Sequence, residues 1–198
     1  AHVLKTPLAV ISNEVNEKNE VLKNQILVMK KHIDRYLKKA HLDSVGKATK
    51  EKIDIVKLTE KMLSIFVKLY PEKKILFQNK MQEAFIFSSL EDLEEVIGNL
   101  IENACKFGKE KIRLKIVNID ENELVFSVSD DGTGLPKDEM NKVFARGFRL
   151  DEQKPGTGLG LNIVKDIVET YYKGEVFLKK SKELGGLEVS IKLPMSKV

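Results

Sequence analysis

Apolar and polar positions along the chain repeat with different periods in different stretches. Leu4, Leu8, Ile11 and Val15 follow the four-three-four spacing of a buried helical stripe. The polar run "NEKN" at 16–19 interrupts it. Leu22, Ile26, Met29, Ile33, Tyr36 or Leu37, and Ala40 then approach a heptad. This pattern predicts a helical hairpin over residues 1–41. Two such helices cannot bury their apolar faces alone, and a dimer closing a four-helix bundle would bury them. "HLDSVGKATKEK" at 41–52 is mixed and polar around Gly46 and reads as a linker. The expected domains are 1–45, the hairpin, and 46–198.

From about residue 53 the pattern alternates between helix and strand. "DIVKLTEKMLSIFVKLY" predicts a helix stopped by Pro71. "KILFQNKM" and "AFIFS" read as short strands. "SLEDLEEVIGNLIENACKFG" is a long helix with Ser89 as N-cap and Gly108 at its end. "KIRLKIVNI" and "ELVFSVS" alternate with period two about a "DEN" turn. "PKDEMNKVFARGF" reads as a short helix and "RLDEQKPGTG" as a mobile loop. "LGLNIVKDIVETYY" is a helix, and "GEVFLKK" and "LEVSIKLP" close the sheet. The fold class is α+β: a helical hairpin, then two layers with helices on one face of a mixed sheet.

Composition narrows the picture only a little. Of 198 residues, 42% are hydrophobic and 32% charged, ordinary for a globular protein. No apolar run approaches the roughly 18–20 residues that span a bilayer, and the amphipathic start is not a signal peptide. The single cysteine, Cys105, cannot pair internally, which suits a reducing compartment. Metal-cluster spacing is absent. The net charge of +4 is interspersed with Asp and Glu and reads as a solvated surface rather than a nucleic-acid footprint.

Three motifs carry candidate chemistry. In "NLIENACKF", Asn99 and Asn103 are four apart and leave one helix face. Their carbonyl oxygens are hard donors that could help hold Mg²⁺ beside phosphate oxygens. Lys106 could touch phosphate and Phe107 could stack on a base. The plain alternative is an amphipathic helix with two exposed amides. In "SDDGTGLP", a strand ends in carboxylates Asp130 and Asp131, followed by Gly132 and Gly134. Such a carboxylate can accept a hydrogen bond from an exocyclic amine, and the glycines allow close backbone approach. A plain turn is the alternative. "PGTGLGL" spans Pro155, Gly156, Thr157, Gly158, Leu159, Gly160 and Leu161 and opens a helix, where backbone N–H groups can bind phosphate. It is neither a P-loop nor a convincing dinucleotide fingerprint. The loop before it carries Arg146, Arg149 and Lys154.

In this order and on these elements, the three motifs resemble the N, G1 and G2 boxes of the histidine-kinase, gyrase, Hsp90 and MutL (GHKL, or Bergerat-type) ATP-binding superfamily. "VFARGF" at 143–148 looks like the kinases' F box, and "HVLKTP" at 2–7 like the H box. The chain thus resembles the catalytic core of a bacterial two-component sensor histidine kinase, nearest a PhoQ-like branch. The resemblance implies ATP and Mg²⁺ as ligands. Asp130 would hold the adenine amine, and Asn99 and Asn103 the metal. Lys106, Arg146 and the amides of Gly158 to Leu161 would bind phosphates, with 147–157 closing as a lid. His2 would take the γ-phosphoryl group and pass it to an aspartate of a response regulator. Thr6, one turn on, would orient water for the reverse reaction; the alternative is a bond back to a helix carbonyl.

The resemblance further implies a homodimer through the hairpin and the cytoplasmic part of an inner-membrane sensor. The chain is expected to be a fragment cut just before its reactive histidine, with a shortened first helix. Two features depart from the pattern, the shortened first helix and the residue after the histidine. Val3 stands where many H boxes carry an acid after the histidine. Asn99 stands where the hydrolytic relatives carry a water-activating glutamate, which disfavours hydrolysis. A non-catalytic or weakly hydrolytic nucleotide-binding scaffold is the rival reading, and a nucleic-acid binder has only the charge behind it. His32 and His41 read as surface residues.

Overall fold

The computed structural model describes Ile26, which is helical and buried, and residues 50–136, 138–140, 142–144 and 160–196. The chain divides into two units, 1–49 and 50–198. The expected hairpin, apart from Ile26, lies outside the described residues.

The second unit begins with strand β1 (Glu51–Asp54) and helix α1 (Ile55–Leu69). Asp54 joins the two. Its Oδ1 accepts from Val56 N at 3.0 Å and Lys57 N at 3.4 Å, capping α1, and from Ala84 N at 3.4 Å. Ile55, Leu58 and Met62 of α1 are buried, three and four residues apart. The helix ends at Tyr70, because the residue before a proline is pushed out of the helical region. The expected linker therefore ends too late, since 51–54 form a strand. Only Ile53 in it is buried, so the stretch shows no alternation by itself. Its stability comes from antiparallel pairing with β3 (Phe85–Ser88), Ile53 opposite Ile86.

Helix α2 (Leu90–Phe107) buries Leu93, Val96, Ile97, Leu100, Ile101, Ala104 and Cys105. Ser89 Oγ accepts from Asp92 N at 3.2 Å, and Glu91 and Asp92 put negative charge at the positive end of the helix dipole. At the other end, Gly108 N donates to Ala104 O at 2.8 Å. The turn into the sheet is held from both sides. Lys73 Nζ donates to Gly108 O and Lys109 O at 3.0 Å each. Asp131 Oδ1 accepts from Lys109 N at 2.7 Å and Glu110 N at 3.0 Å.

The main sheet runs β2–β4–β5–β7–β6. Strand β2 (Lys74–Asn79) is parallel to β4 (Lys111–Asn118), and β5 (Glu123–Asp130), β7 (Leu187–Pro194) and β6 (Glu175–Lys180) pair antiparallel. Ile112, Leu114, Ile116, Leu124, Phe126, Val128, Val189, Ile191 and Leu193 are almost fully buried and form the core with α2. The opposite face is ionic: Glu183 pairs with Arg113 and Lys115, and Lys192 bridges Glu123 and Glu175. Ser127 and Ser129 stay buried there because they lie in register beside Lys115 and Arg113.

Two expected helices differ in detail. The described part of 136–148 is a turn and a 3₁₀ segment, Lys142–Phe144, in which Lys142 N reaches back three residues to Glu139 O. Helix α3 (Gly160–Lys165) continues as a π-helix, Asp166–Tyr171. Gly174 N donates to Val168 O at 2.9 Å across the end, and Lys173 takes the left-handed conformation (φ 53°).

Candidate functional site

The polar face of α2 meets the start of α3. Asn99 Nδ2 donates to Glu95 O at 2.7 Å, leaving its carbonyl oxygen to face away. A Cβ on Gly160 would stand 2.9 Å from Asn99 Oδ1 and 3.3 Å from Asn103 Nδ2. The two asparagines and the glycine thus share one spot, and the glycine is required by close approach rather than by its φ. One turn later Lys106 pairs with Glu102 at 2.6 Å, so its charge is partly spent within the helix. Phe107 is 42% exposed at the end of α2.

The β5 end is built around Asp130, only 5% exposed. Its Oδ1 accepts from Gly132 N at 2.8 Å and Leu187 N at 3.2 Å. Its main-chain oxygen accepts from Gly186 N at 3.1 Å. With Oδ1 fixed by two amides, the orientation of the carboxylate is set. Asp131 does different work. Burial raises its pKa, but the N–H groups of Glu110, Lys111 and Lys109 outweigh burial and hold it below the ordinary value. It ties the α2–β4 turn. Gly132 nestles under α2, where a Cβ would come 2.3 Å from Phe107 O. At Gly134 (φ 71°) a Cβ would meet the Gly186 backbone at 3.4 Å. The last turn of α2, the Asp130 loop and the β6–β7 turn are thus one packed unit.

The 3₁₀ segment is attached to α3: Asn162 Nδ2 donates to Phe144 O at 2.9 Å, and Lys165 Nζ lies 4.8 Å above the Phe144 ring. Of the expected site residues, Asn99, Asn103, Lys106, Phe107, Asp130, Gly132, Gly134, Gly160 and Leu161 are described. His2, Thr6, Arg146, Gly156, Thr157, Gly158 and Leu159 lie outside the described residues, as do the 147–157 loop, Arg149, Lys154, His32 and His41. Sequence reasoning missed Gly186 and Leu187. Their only signal is the Gly-Gly pair in "LGGLE", and nothing local ties that pair to a strand end 57 residues earlier.

A family model described as histidine kinase-, DNA gyrase B-, and HSP90-like ATPase matches residues 89–197, more than half of the chain. The chain belongs to this ATPase family. The sensor protein kinase CarS of Pseudomonas aeruginosa is 34% identical, over 99% of this chain and 45% of CarS. The virulence sensor histidine kinase PhoQ of Salmonella typhimurium is 32% identical, over 96% of this chain and 41% of PhoQ. The chain therefore spans less than half the length of these relatives, and both are sensor kinases, as the motifs imply. Among solved structures, full-length ShkA in complex with AMPPNP gives a TM-score of 0.69 at 22% identity, covering 100% of this chain and 45% of that one. The mycobacterial sensor histidine kinase MprB gives 0.66 at 24%, covering 76% and 100%. These likenesses show the fold. No helix among the described residues is long and apolar enough to cross a membrane.

Asn99 and Asn103 carry the donor type that a divalent cation beside phosphate would take. Asn99 Oδ1 lies close against Gly160, and Asn103 lies at the same spot. Amide oxygens are hard donors suited to Mg²⁺.

Proposed function

We propose that the chain is the phosphotransfer core of a sensor histidine kinase, binding ATP with Mg²⁺ and phosphorylating His2. The convergence of Asn99, Asn103 and Gly160, together with a buried Asp130 tethered by two amides, supports the reading. Asp130 accepts the adenine amine, and Phe107 offers a stacking surface at the same end. Asn99, Asn103, Lys106, Arg146 and the 156–161 segment address the phosphates. Mg²⁺, when bound, neutralises phosphate charge and orients the γ-phosphoryl group. A neutral His2 imidazole attacks that phosphorus; the P–N bond forms as the bond to ADP breaks. The phosphoryl group then passes to an aspartate of a response regulator, and Thr6 positions water for its removal. The hairpin dimerises, and the core is the cytoplasmic part of an inner-membrane sensor.

An asparagine at position 99 lacks the carboxylate that would activate water, which favours transfer over hydrolysis. The test is incubation of the chain with γ-labelled ATP. Acid-labile, base-stable label on the protein supports the reading. Nucleotide binding without label would favour the scaffold reading instead.

A further inference from the structure

Two polar or close contacts, one toward each end, tie helix α2 to the continuous helix over 160–171. Gly160 meets Asn99 and Asn103. Just past the other end, Tyr172 is buried, and its hydroxyl donates to Asp92 Oδ2 at 2.6 Å while accepting from Ser89 N at 3.1 Å. Twelve residues separate Gly160 from Tyr172. Twelve residues also separate Ser89 from the midpoint of Asn99 and Asn103. The helices are therefore antiparallel.

Ile163, Val164, Ile167 and Val168 are buried in the same apolar core as Val96, Ile97, Leu100 and Ile101 of α2. Apolar contact is non-directional and tolerates small slides along the axis. The second half of the helix is π-helical, a geometry that usually occurs as a single local turn and often near functional sites. Its wider turns alter both length and rotational phase, so where it ends decides where it begins. The Tyr172 hydroxyl, with one donor and one acceptor role filled in defined directions, is a directional restraint at that end. Burial, with the Asp92 bond, pushes its pKa up to about 12, so both roles persist at neutral pH.

We propose that Tyr172 is a positioning residue of the nucleotide site: by bridging Ser89 and Asp92 it sets the register of the 160–171 helix along α2 and holds Gly160 against Asn99 and Asn103. The inference rests on the reading of those asparagines as the metal-phosphate end. Asp130 is held by other elements, so the adenine end does not depend on the bridge. The loss should therefore fall on metal-dependent affinity.

The test compares ADP binding with Mg²⁺ and with chelator, by calorimetry on the full chain, for wild type, Tyr172→Phe, Asp92→Ala and the double variant. Melting curves establish that each is folded. The expected result is unchanged metal-free affinity, with Mg²⁺-ADP affinity weakened about threefold to tenfold in each single variant, the range a lost hydrogen bond supports. The double variant should be no worse than Tyr172→Phe, which already removes both bonds of the bridge. Unchanged Mg²⁺-ADP affinity, equal loss of both forms, or additive losses would overturn the proposal. Failure of both single variants to fold would do so too, since the bridge would then serve stability at large. If wild type gains nothing from Mg²⁺, the metal assignment itself fails, and this inference falls with it. That outcome is read on wild type alone, so the two failures are distinguishable.

Discussion

Gly185 and Gly186 are adjacent, yet alanine should act differently at each. At Gly186 a Cβ would stand 2.2 Å from Asp130 Oδ1, 2.5 Å from Gly132 N and 2.6 Å from Asp130 O. Ordinary contact needs about 3.4 Å or more, so something must move by roughly 1 Å, and close-packed interiors do not absorb that freely. The atoms in the way are the carboxylate and the amide that holds it. Hydrogen bonds to charged groups contribute about 1.5–3 kcal/mol, so disturbing one of them should cost about tenfold to a hundredfold in adenine-nucleotide affinity. Overpacking should also lower stability by about 1–3 kcal/mol. At Gly185 nothing lies within 4 Å, but φ is 90°, a backbone that L side chains rarely adopt. Gly185→Ala should therefore lower stability by about 1–2 kcal/mol and leave nucleotide affinity near wild type. Calorimetric titration with ADP, beside urea unfolding, separates the two. Equal affinities for wild type and Gly186→Ala, or equal affinity losses at both glycines, would refute the argument that Gly186 acts through Asp130.

Asp131 has a lowered pKa in the folded state, so its stabilisation is complete above the ordinary value of 3.8 and is lost as pH falls through the lowered one. Urea midpoints of wild type should exceed those of Asp131→Asn at pH 7 and 5 and converge with them in stronger acid; a constant gap would contradict this. Burial pushes the Cys105 thiol up to about 11, and it is 2% exposed. Aromatic disulfide reagent at pH 8 should leave native protein unlabelled and react fully once urea unfolds it, with fast native labelling counting against the packing described. His2→Ala should bind ATP normally yet acquire no label. Thr6→Ala should autophosphorylate normally while a phosphorylated regulator persists longer, and joint loss of both activities with melting temperature would make Thr6 structural.

Helix α2 was the most legible element, because cap, stripe and terminal glycine lie within one segment and agree with each other. Asn99 and Asn103 were legible for the same reason: helical period alone puts them on one face. Strands β4 and β5 showed clean alternation because one face is core and the other ionic. Strand β1 was not legible, since a four-residue strand with one buried position depends on its partner β3. The π-helix was hidden because its pattern of apolar residues also suits an α-helix, and the Tyr172 attachment that accompanies it lies 80 residues away in sequence. The support of Asp130 by Leu187 was hidden likewise, for strand neighbours far apart in sequence leave no local trace.

The clamped turn between α2 and β4 bears on how this domain tolerates changes of length. Lys73 takes the carbonyls of Gly108 and Lys109, while Asp131 takes the amides of Lys109 and Glu110. Closing a slightly longer loop costs little entropy in general. Here, however, an added residue would pull four backbone groups off two side chains and shift Gly132, which packs on the carbonyl of Phe107. The 120–122 turn between β4 and β5 is exposed, with Asp120 Oδ1 accepting from Asn122 and Glu123 within the turn itself. Inserted tags, protease sites or fused domains belong at 120–122, far along β5 from Asp130. At 108–110 the same insertion would read out as a loss of nucleotide binding.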